Sequence, residues 1–341
     1  MMYIIAPYRR AGRGLGVGFL YLTQLRTAIY KIKNIKYMLQ NTELSFRKLS
    51  NSQVALHPNP KGIIQFIGSF IFGSFPAWSY KYLHQYLFDQ GYSLILYQFP
   101  LNPLQFNHWE VSFGLLKEQY LLKTEIVKTL KQENKPDNVI DTYSNPANYL
   151  WLGHSLGCKY IILLEISSNE PTRRSQILRQ CLDKKDSIEA IKQIASIESV
   201  QQISQGVINQ LLPKTESVNQ FLIKDQPSIL LAPEISNTVR ILRSGWRISN
   251  SLANPNQKQT ECLIGSSTEL FNLTGVISFN LDSIAEDDVV FMVEQIKHKS
   301  FQPLYKELEG SHFEPLSISI EHLGQCIVHF FDQLKSRLSN R

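Results

Sequence analysis

The sequence predicts an α/β fold, a mostly parallel sheet covered by helices on both faces. Three observations carry this reading. From Gly62 onward, short apolar runs alternate with longer stretches of helical periodicity. Most positions in the short runs are apolar, as in strands buried on both faces. The composition also supports a large core, with 43% of the 341 residues hydrophobic and 19% charged. That balance excludes a disordered chain and fits one large domain with insertions.

The elements follow in order. Gly62 to Ile67 reads as a strand, opened by Pro60 and closed by Gly68. Trp78, Tyr82, Tyr86 and Leu87 recur at helical spacing, and Gly91 caps that helix. Ser93 to Tyr97 is the next strand, stopped near Pro100, and Phe113 to Leu130 reads as a helix. Tyr149 to Leu152 is a short apolar strand that runs straight into Gly153. Cys158 to Ile166 is almost wholly apolar, as a helix buried all round would be. Residues 170–226 change character: Ile188, Ile191, Ile194, Val200, Ile203, Val207 and Leu211 lie among polar residues, interrupted at Pro213. This is a helical insertion, expected to act as a lid. Strands return at Ser228 to Ala232 and Val276 to Phe279, separated by an irregular stretch from Pro233 to about Asn272. Ser283 and Glu286 have capping-box spacing for a helix carrying Val290, Val293 and Ile296. Leu304 to Leu308 is the last strand. Ile320 to Leu334 is a closing helix with Leu323, Ile327, Phe330 and Leu334 on one face. The domain reading is therefore a basic leader over 1–45, a core over 46–169 and 227–336, and the insertion at 170–226.

The formal charge of +6 is unevenly placed. Arg9, Arg10, Arg13, Arg26, Lys31, Lys33 and Lys36 precede the first acidic residue, Glu43, and the rest is near neutral. The main domain therefore has no basic signature for nucleic acid. The leader has several readings: a signal peptide that lacks a small-residue cleavage site, a serine-poor transit peptide, a gene-model extension ahead of a true start at Met38, and, over Leu20 to Leu39, either a basic amphipathic helix touching anionic membrane or an unstructured stretch. The Gly12 to Gly18 run superficially suggests a dinucleotide loop, but no strand precedes it. No apolar run reaches the roughly 18 residues of a membrane span. Cys158, Cys181, Cys262 and Cys326 show no metal-site spacing. The expectation is free thiols in a reduced compartment, with no metal and no cofactor.

Chemistry concentrates at Gly153-His154-Ser155-Leu156-Gly157, a G-x-S-x-G pattern. A nucleophile at a sharp strand-to-helix turn needs small neighbours on both sides, because strand and helix must approach closely. Ordinary residue frequencies give on the order of 0.1 chance matches in a chain this long. The setting is more telling, with an apolar strand before the motif and a buried helix after it. The bland alternative is a strand–helix turn with an idle serine. A serine nucleophile needs a base, and the base an orienting acid. In the α/β-hydrolase fold these follow in the order Ser, acid, His. His312 lies just after the last strand, where a base would be presented; His322 and His329 fall on the closing helix, and His298 lies between lysines. Asp282, after the strand ending at Phe279, is the expected acid, with Glu234 as the alternative. An oxyanion hole requires two backbone donors, expected from Leu156 and Ser69, each worth about 3 kcal/mol.

The segments Gly62 to Gly68, Phe72 to Pro76, His108-Trp109, Leu152 to Cys158, Leu231 to Ser236 and Ile277 to Asp282 agree in order and content with a known group. From about Phe46 to Leu334 the chain resembles domain-of-unknown-function family 1350 (DUF1350). This is an α/β-hydrolase-superfamily family found mainly in cyanobacteria and plant plastids. The resemblance implies the hydrolase fold, places the elbow on Ser155, and fits a location in the cytoplasm or plastid stroma. It supplies no substrate. Family members often have Gly-Gly after the first strand, where this chain has Gly68-Ser69, and a side chain there crowds the expected oxyanion hole.

The functional expectation is a serine hydrolase acting on an ester, thioester or amide of a small or lipid-like molecule. The alternative is a non-catalytic binding or assembly factor that kept the scaffold. The distance from the His312 ring to the Ser155 hydroxyl separates the two.

Overall fold

A computed structural model describes residues 44–98, 107–212, 222–236, 253–267, 272–299 and 302–339. The leader readings, including Gly12 to Gly18, the 20–39 helix and Met38, lie outside the described residues.

Among the described residues, eight strands form one sheet in the order β1-β2-β4-β3-β5-β6-β7-β8. They are β1 (Arg47–Leu49), β2 (Ser52–Ala55), β3 (Gly62–Ile67), β4 (Tyr92–Tyr97), β5 (Tyr149–His154), β6 (Ser228–Leu231), β7 (Thr274–Phe279) and β8 (Leu304–Leu308). β3 to β8 run parallel to one another, while at one edge β2 pairs antiparallel with β4 and β1 antiparallel with β2. The strand order reverses at β3, which lies between β4 and β5. Ligands of open α/β sheets bind beyond the carboxyl ends of strands at such a switch point.

The central strands β3, β4 and β5 are buried on both faces. Along β3, β4 and β5 the residues Ile63, Ile67, Ile95, Tyr97, Tyr149 and Trp151 join one core layer. The intervening Ile64, Phe66, Leu94, Leu96, Leu150 and Leu152 join the other. The period of two along each strand thus feeds two cores. Each fully buried aliphatic side chain contributes about 1.5–3 kcal/mol.

The helices are α1 (Pro76–Ser79), α2 (Lys81–Asp89), α3 (His108–Gln132), α4 (Asp137–Ser144), α5 (Leu156–Ser167), α6 (Pro171–Cys181), α7 (Lys184–Leu211), α8 (Gln257–Ser266), α9 (Glu286–Lys299) and α10 (Glu321–Ser339). α5 is apolar all round because β5, α3 and α8 enclose it. α10 buries Leu323, Ile327, Phe330 and Leu334, the stripe its sequence displays. The insertion supplies α6 and α7. α7 packs along α3, where Ser204 Oγ donates to the Tyr120 carbonyl at 3.0 Å and lies 2.7 Å from Thr124 Oγ.

Several expectations need correction. The irregular stretch 233–272 contains a regular helix, α8, capped by an Asn256–Gln259 capping box. α9 begins at Glu286 itself, so Glu286 is not the third helical residue that a capping box with Ser283 requires. Asp282 Oδ1 instead accepts from the N–H groups of Ile284 and Ala285. The cysteines are not all free, because Cys181 and Cys262 form a disulfide across a separation of 81 residues. Spacing along the chain did not reveal it, since α6 and α8 meet only in the folded state. Among the described residues, no helix is long and apolar enough to cross a membrane.

Candidate active site

β5 ends at His154, and the chain turns at Ser155 with φ 57° and ψ −122°. An L-residue in this region costs of order 1–3 kcal/mol, so the surroundings must enforce it. They do so from three directions. The Ser155 N–H donates to the Leu231 carbonyl on β6 at 2.9 Å, and its carbonyl accepts from Cys158 N at 3.0 Å. At Gly153 an added Cβ would lie 2.7 Å from Ile161 Cδ1. At Gly157 it would meet the backbone carbonyls of Ile67 and Gly68. The two glycines of the motif therefore let α5 press against both β5 and the turn after β3.

The Ser155 hydroxyl is fully buried and has two side-chain neighbours. His312, in the loop after β8, places Nε2 2.9 Å from Ser155 Oγ. Its Nδ1 lies 2.8 Å from Asp282 Oδ2, so Nδ1 carries the proton and donates to the carboxylate. Asp282 follows β7, and its other oxygen holds the Ile284 and Ala285 amides at 2.9 and 3.0 Å. Burial works to raise the Asp282 pKa. The charge and hydrogen bond of His312, with the two backbone donors, outweigh it and hold the carboxyl below its ordinary value. Three residues expected to act together thus form one chain, Ser155 to His312 to Asp282.

Glu234, weighed as the alternative acid, is also present but touches a different partner. Its Oε2 accepts from Ser155 Oγ at 3.1 Å, and its backbone N–H donates to the Ser155 carbonyl at 3.3 Å. Burial is the main reason its pKa rises to about 7.

The second oxyanion donor requires correction. The Ser69 N–H donates to the buried Tyr80 hydroxyl at 2.9 Å, so it is not available to a substrate. Leu156 opens α5, and its N–H has no hydrogen-bond partner among the described residues, as the first turn of a helix leaves such groups. Phe70 N–H, the next amide of the same turn, is likewise unpaired among the described residues.

Sequence reasoning missed two supports. His154 Nε2 lies 2.8 Å from the His312 carbonyl oxygen, and Nδ1 lies 2.8 Å from Tyr80 Oη. A carbonyl only accepts, so His154 donates from Nε2 and accepts from Tyr80. Burial, aided by repulsion from His312, pushes His154 down to about 3 and keeps it neutral. It anchors the backbone that carries the His312 ring. Asp288 accepts from Ile235 N, Ser236 N and Ser236 Oγ through one oxygen and so pins the segment bearing Glu234. His154 occupies the variable position of the motif, a place that only its contact across the sheet could mark. Among the described residues, no group of three or more His, Cys, Asp or Glu is arranged to hold a metal.

Comparison with solved structures finds esterases and hydrolases of low identity. The chain is similar to esterase B from Lactobacillus rhamnosis, at 9% identity, a TM-score of 0.49, and coverage of 95% of this chain and 98% of that one. It is also similar to an S-formylglutathione hydrolase from Staphylococcus aureus, at 9% identity, a TM-score of 0.44, and coverage of 87% and 98%. No curated protein sequence matches it. The strand order, with serine after β5, acid after β7 and histidine after β8, is that of the α/β-hydrolase fold. Residues 45–337 match the profile of the family described as Protein of unknown function (DUF1350), and the chain belongs to that family.

Proposed function

We propose that the protein is a serine hydrolase that cleaves an ester, thioester or amide of a small or lipid-like molecule. The observation that carries this is the continuous contact from Ser155 Oγ to His312 at 2.9 Å and from His312 to Asp282 at 2.8 Å. A binding protein has no use for a strained serine aligned with an oriented imidazole, so this distance favours catalysis over the non-catalytic reading.

The steps follow from the geometry. Ser155 Oγ attacks the substrate carbonyl carbon while its proton passes to His312 Nε2. Asp282 keeps the other ring nitrogen protonated and stabilises the imidazolium. The negative charge on the substrate oxygen falls at the N-terminus of α5, where Leu156 N–H donates, and Phe70 N–H supplies the second donor in place of Ser69. The imidazolium then protonates the leaving group. Water repeats the sequence on the acyl-enzyme and frees Ser155.

Substrate choice belongs to the segments beside Ser155. His108 N–H donates to the Asn254 carbonyl at 2.7 Å, and Lys159 Nζ donates to the Pro255 carbonyl at 2.9 Å. These bonds bring the starts of α3 and α8 to the first turns of α5. A lid role for the 170–226 insertion is tested separately, by whether its removal changes substrate preference.

A fluorophosphonate probe tests the chemistry. The native protein should label on Ser155, and Ser155→Ala should abolish labelling while leaving the fold intact. A native protein that stays unlabelled refutes the hydrolase reading.

A further inference from the structure

Resting on that hydrolase reading, we propose that Glu234 is a further catalytic residue whose carboxyl competes with His312 for the single hydroxyl proton of Ser155. Ser155 is then ready to attack only while Glu234 itself carries a proton.

The argument is one of counting donors. Ser155 Oγ has one proton and two neighbours, His312 Nε2 at 2.9 Å and Glu234 Oε2 at 3.1 Å. Asp282 accepts the hydrogen bond from His312 Nδ1–H, which leaves Nε2 of the neutral ring as an acceptor. An ionised Glu234 is an acceptor as well. The hydroxyl then faces two acceptors and satisfies only one. When its proton points to Glu234, Nε2 faces an oxygen lone pair and no base assists the nucleophile. When Glu234 is protonated, its O–H donates to Oγ, and the hydroxyl proton is directed to Nε2. Attack then proceeds with a balanced transfer: the Oγ–H proton moves to Nε2, and the electron pair it leaves forms the bond to the carbonyl carbon. Glu234 keeps its own proton throughout.

The surroundings place this proton in play. Glu234 is buried, and its Oε1 has no hydrogen-bond partner among the described residues. It is faced by His312 from the loop after β8, by Cys158, Lys159 and Tyr160 from α5, and by Asp288 from α9. The one cation of α5 among these, Lys159, is turned to the Pro255 carbonyl, and burial lowers its own pKa to about 7. Burial is the largest influence raising the Glu234 carboxyl to about 7, and the negative charge of Asp288 adds to it. A buried carboxyl with an unsatisfied oxygen is costly to keep for packing alone. Such perturbed groups concentrate where chemistry uses them.

The experiment is the rate of fluorophosphonate labelling of Ser155 between about pH 5.5 and 9.5, in the wild type and in Glu234→Gln. The wild type should show an alkaline fall approaching about tenfold per pH unit above neutrality. The glutamine amide carries its donor at every pH, so the alkaline fall should vanish, and the variant should label at least about tenfold faster than wild type near pH 9. Glu234→Ala, checked for folding by circular dichroism, should also lose the fall, because the competing acceptor is gone. A wild-type profile that levels off at high pH overturns the proposal, as does a fall that persists in either folded variant. Those results leave the hydrolase reading standing. A wild type unlabelled at every pH removes the hydrolase reading, and this inference with it.

Discussion

At Ser155 the backbone adopts a conformation that isolated L-residues avoid, and the neighbouring hydrogen bonds hold it there. The result is an Oγ held between the His312 imidazole and the Glu234 carboxyl. The imidazole is fixed in turn from two sides, by Asp282 at its ring and by His154 at its backbone carbonyl. In the proposed reaction Asp282 sets the tautomer, because only a ring protonated at Nδ1 accepts at Nε2. Asp282→Asn replaces the acceptor with a group that also donates, and the wrong tautomer becomes favourable. The turnover of any ester substrate that the native protein cleaves should fall by about 10⁴. Thermal stability should change much less than activity. A variant with near-native turnover would show that Asp282 does not orient the base.

The elbow depends on two packed elements meeting at Gly157. A methyl group there would run into the carbonyls of Ile67 and Gly68, which are backbone atoms and cannot rotate away. Gly157→Ala should destabilise the fold by about 1–3 kcal/mol, the range for overpacking a close contact. A lowered urea midpoint at unchanged slope is the expected reading, and an unchanged midpoint would show that the turn after β3 yields easily. The same turn explains why the Ser69 amide is occupied. Tyr80 comes from the short helical segment that follows, and its hydroxyl bridges Ser69 and His154. The early helices thus brace the serine turn from beneath, a role their periodicity did not announce.

At the scale of the whole molecule, three of the four buried histidines among the described residues, His84, His108 and His154, are held neutral by burial. Burial pushes His84 and His154 down to about 3, and burial followed by repulsion from Lys159 places His108 well below its ordinary value. In the unfolded chain these rings take up protons near pH 6.5, whereas the folded protein refuses them until far lower pH. Above pH 6.5 both states are neutral and the histidines contribute nothing. As the pH falls from 6.5 towards 3, stability is lost by about 1.4 kcal/mol per pH unit for each ring. Glu234 acts in the opposite sense between its unfolded value of 4.5 and about 7, where the folded state holds the extra proton. That stabilisation is present at acid pH and lost as pH rises through 7. The net expectation is a loss of roughly 2–3 kcal/mol per pH unit below 6.5. Urea midpoints at pH 7.5 and 5.5 check it, and equal midpoints would refute it.

What the sequence determined by itself was local. Runs of mostly apolar residues marked the central strands, such as Gly62 to Ile67 and Tyr149 to Leu152, because a strand buried on two faces has little polar alternation. Glycine spacing marked the turn at Ser155, because backbone crowding acts within a few residues. Chain order singled out His312 and narrowed the acid to Asp282 or Glu234. Tertiary structure alone decided which acid meets which group. Asp282 reaches His312 across 30 residues, Glu234 reaches Ser155 across 79, and His312 reaches Ser155 across 157. It also spent the Ser69 amide on Tyr80 and joined Cys181 to Cys262. Hydrogen bonds over such separations depend on where the sheet gathers its loops, and no short-range pattern along the chain encodes that meeting point.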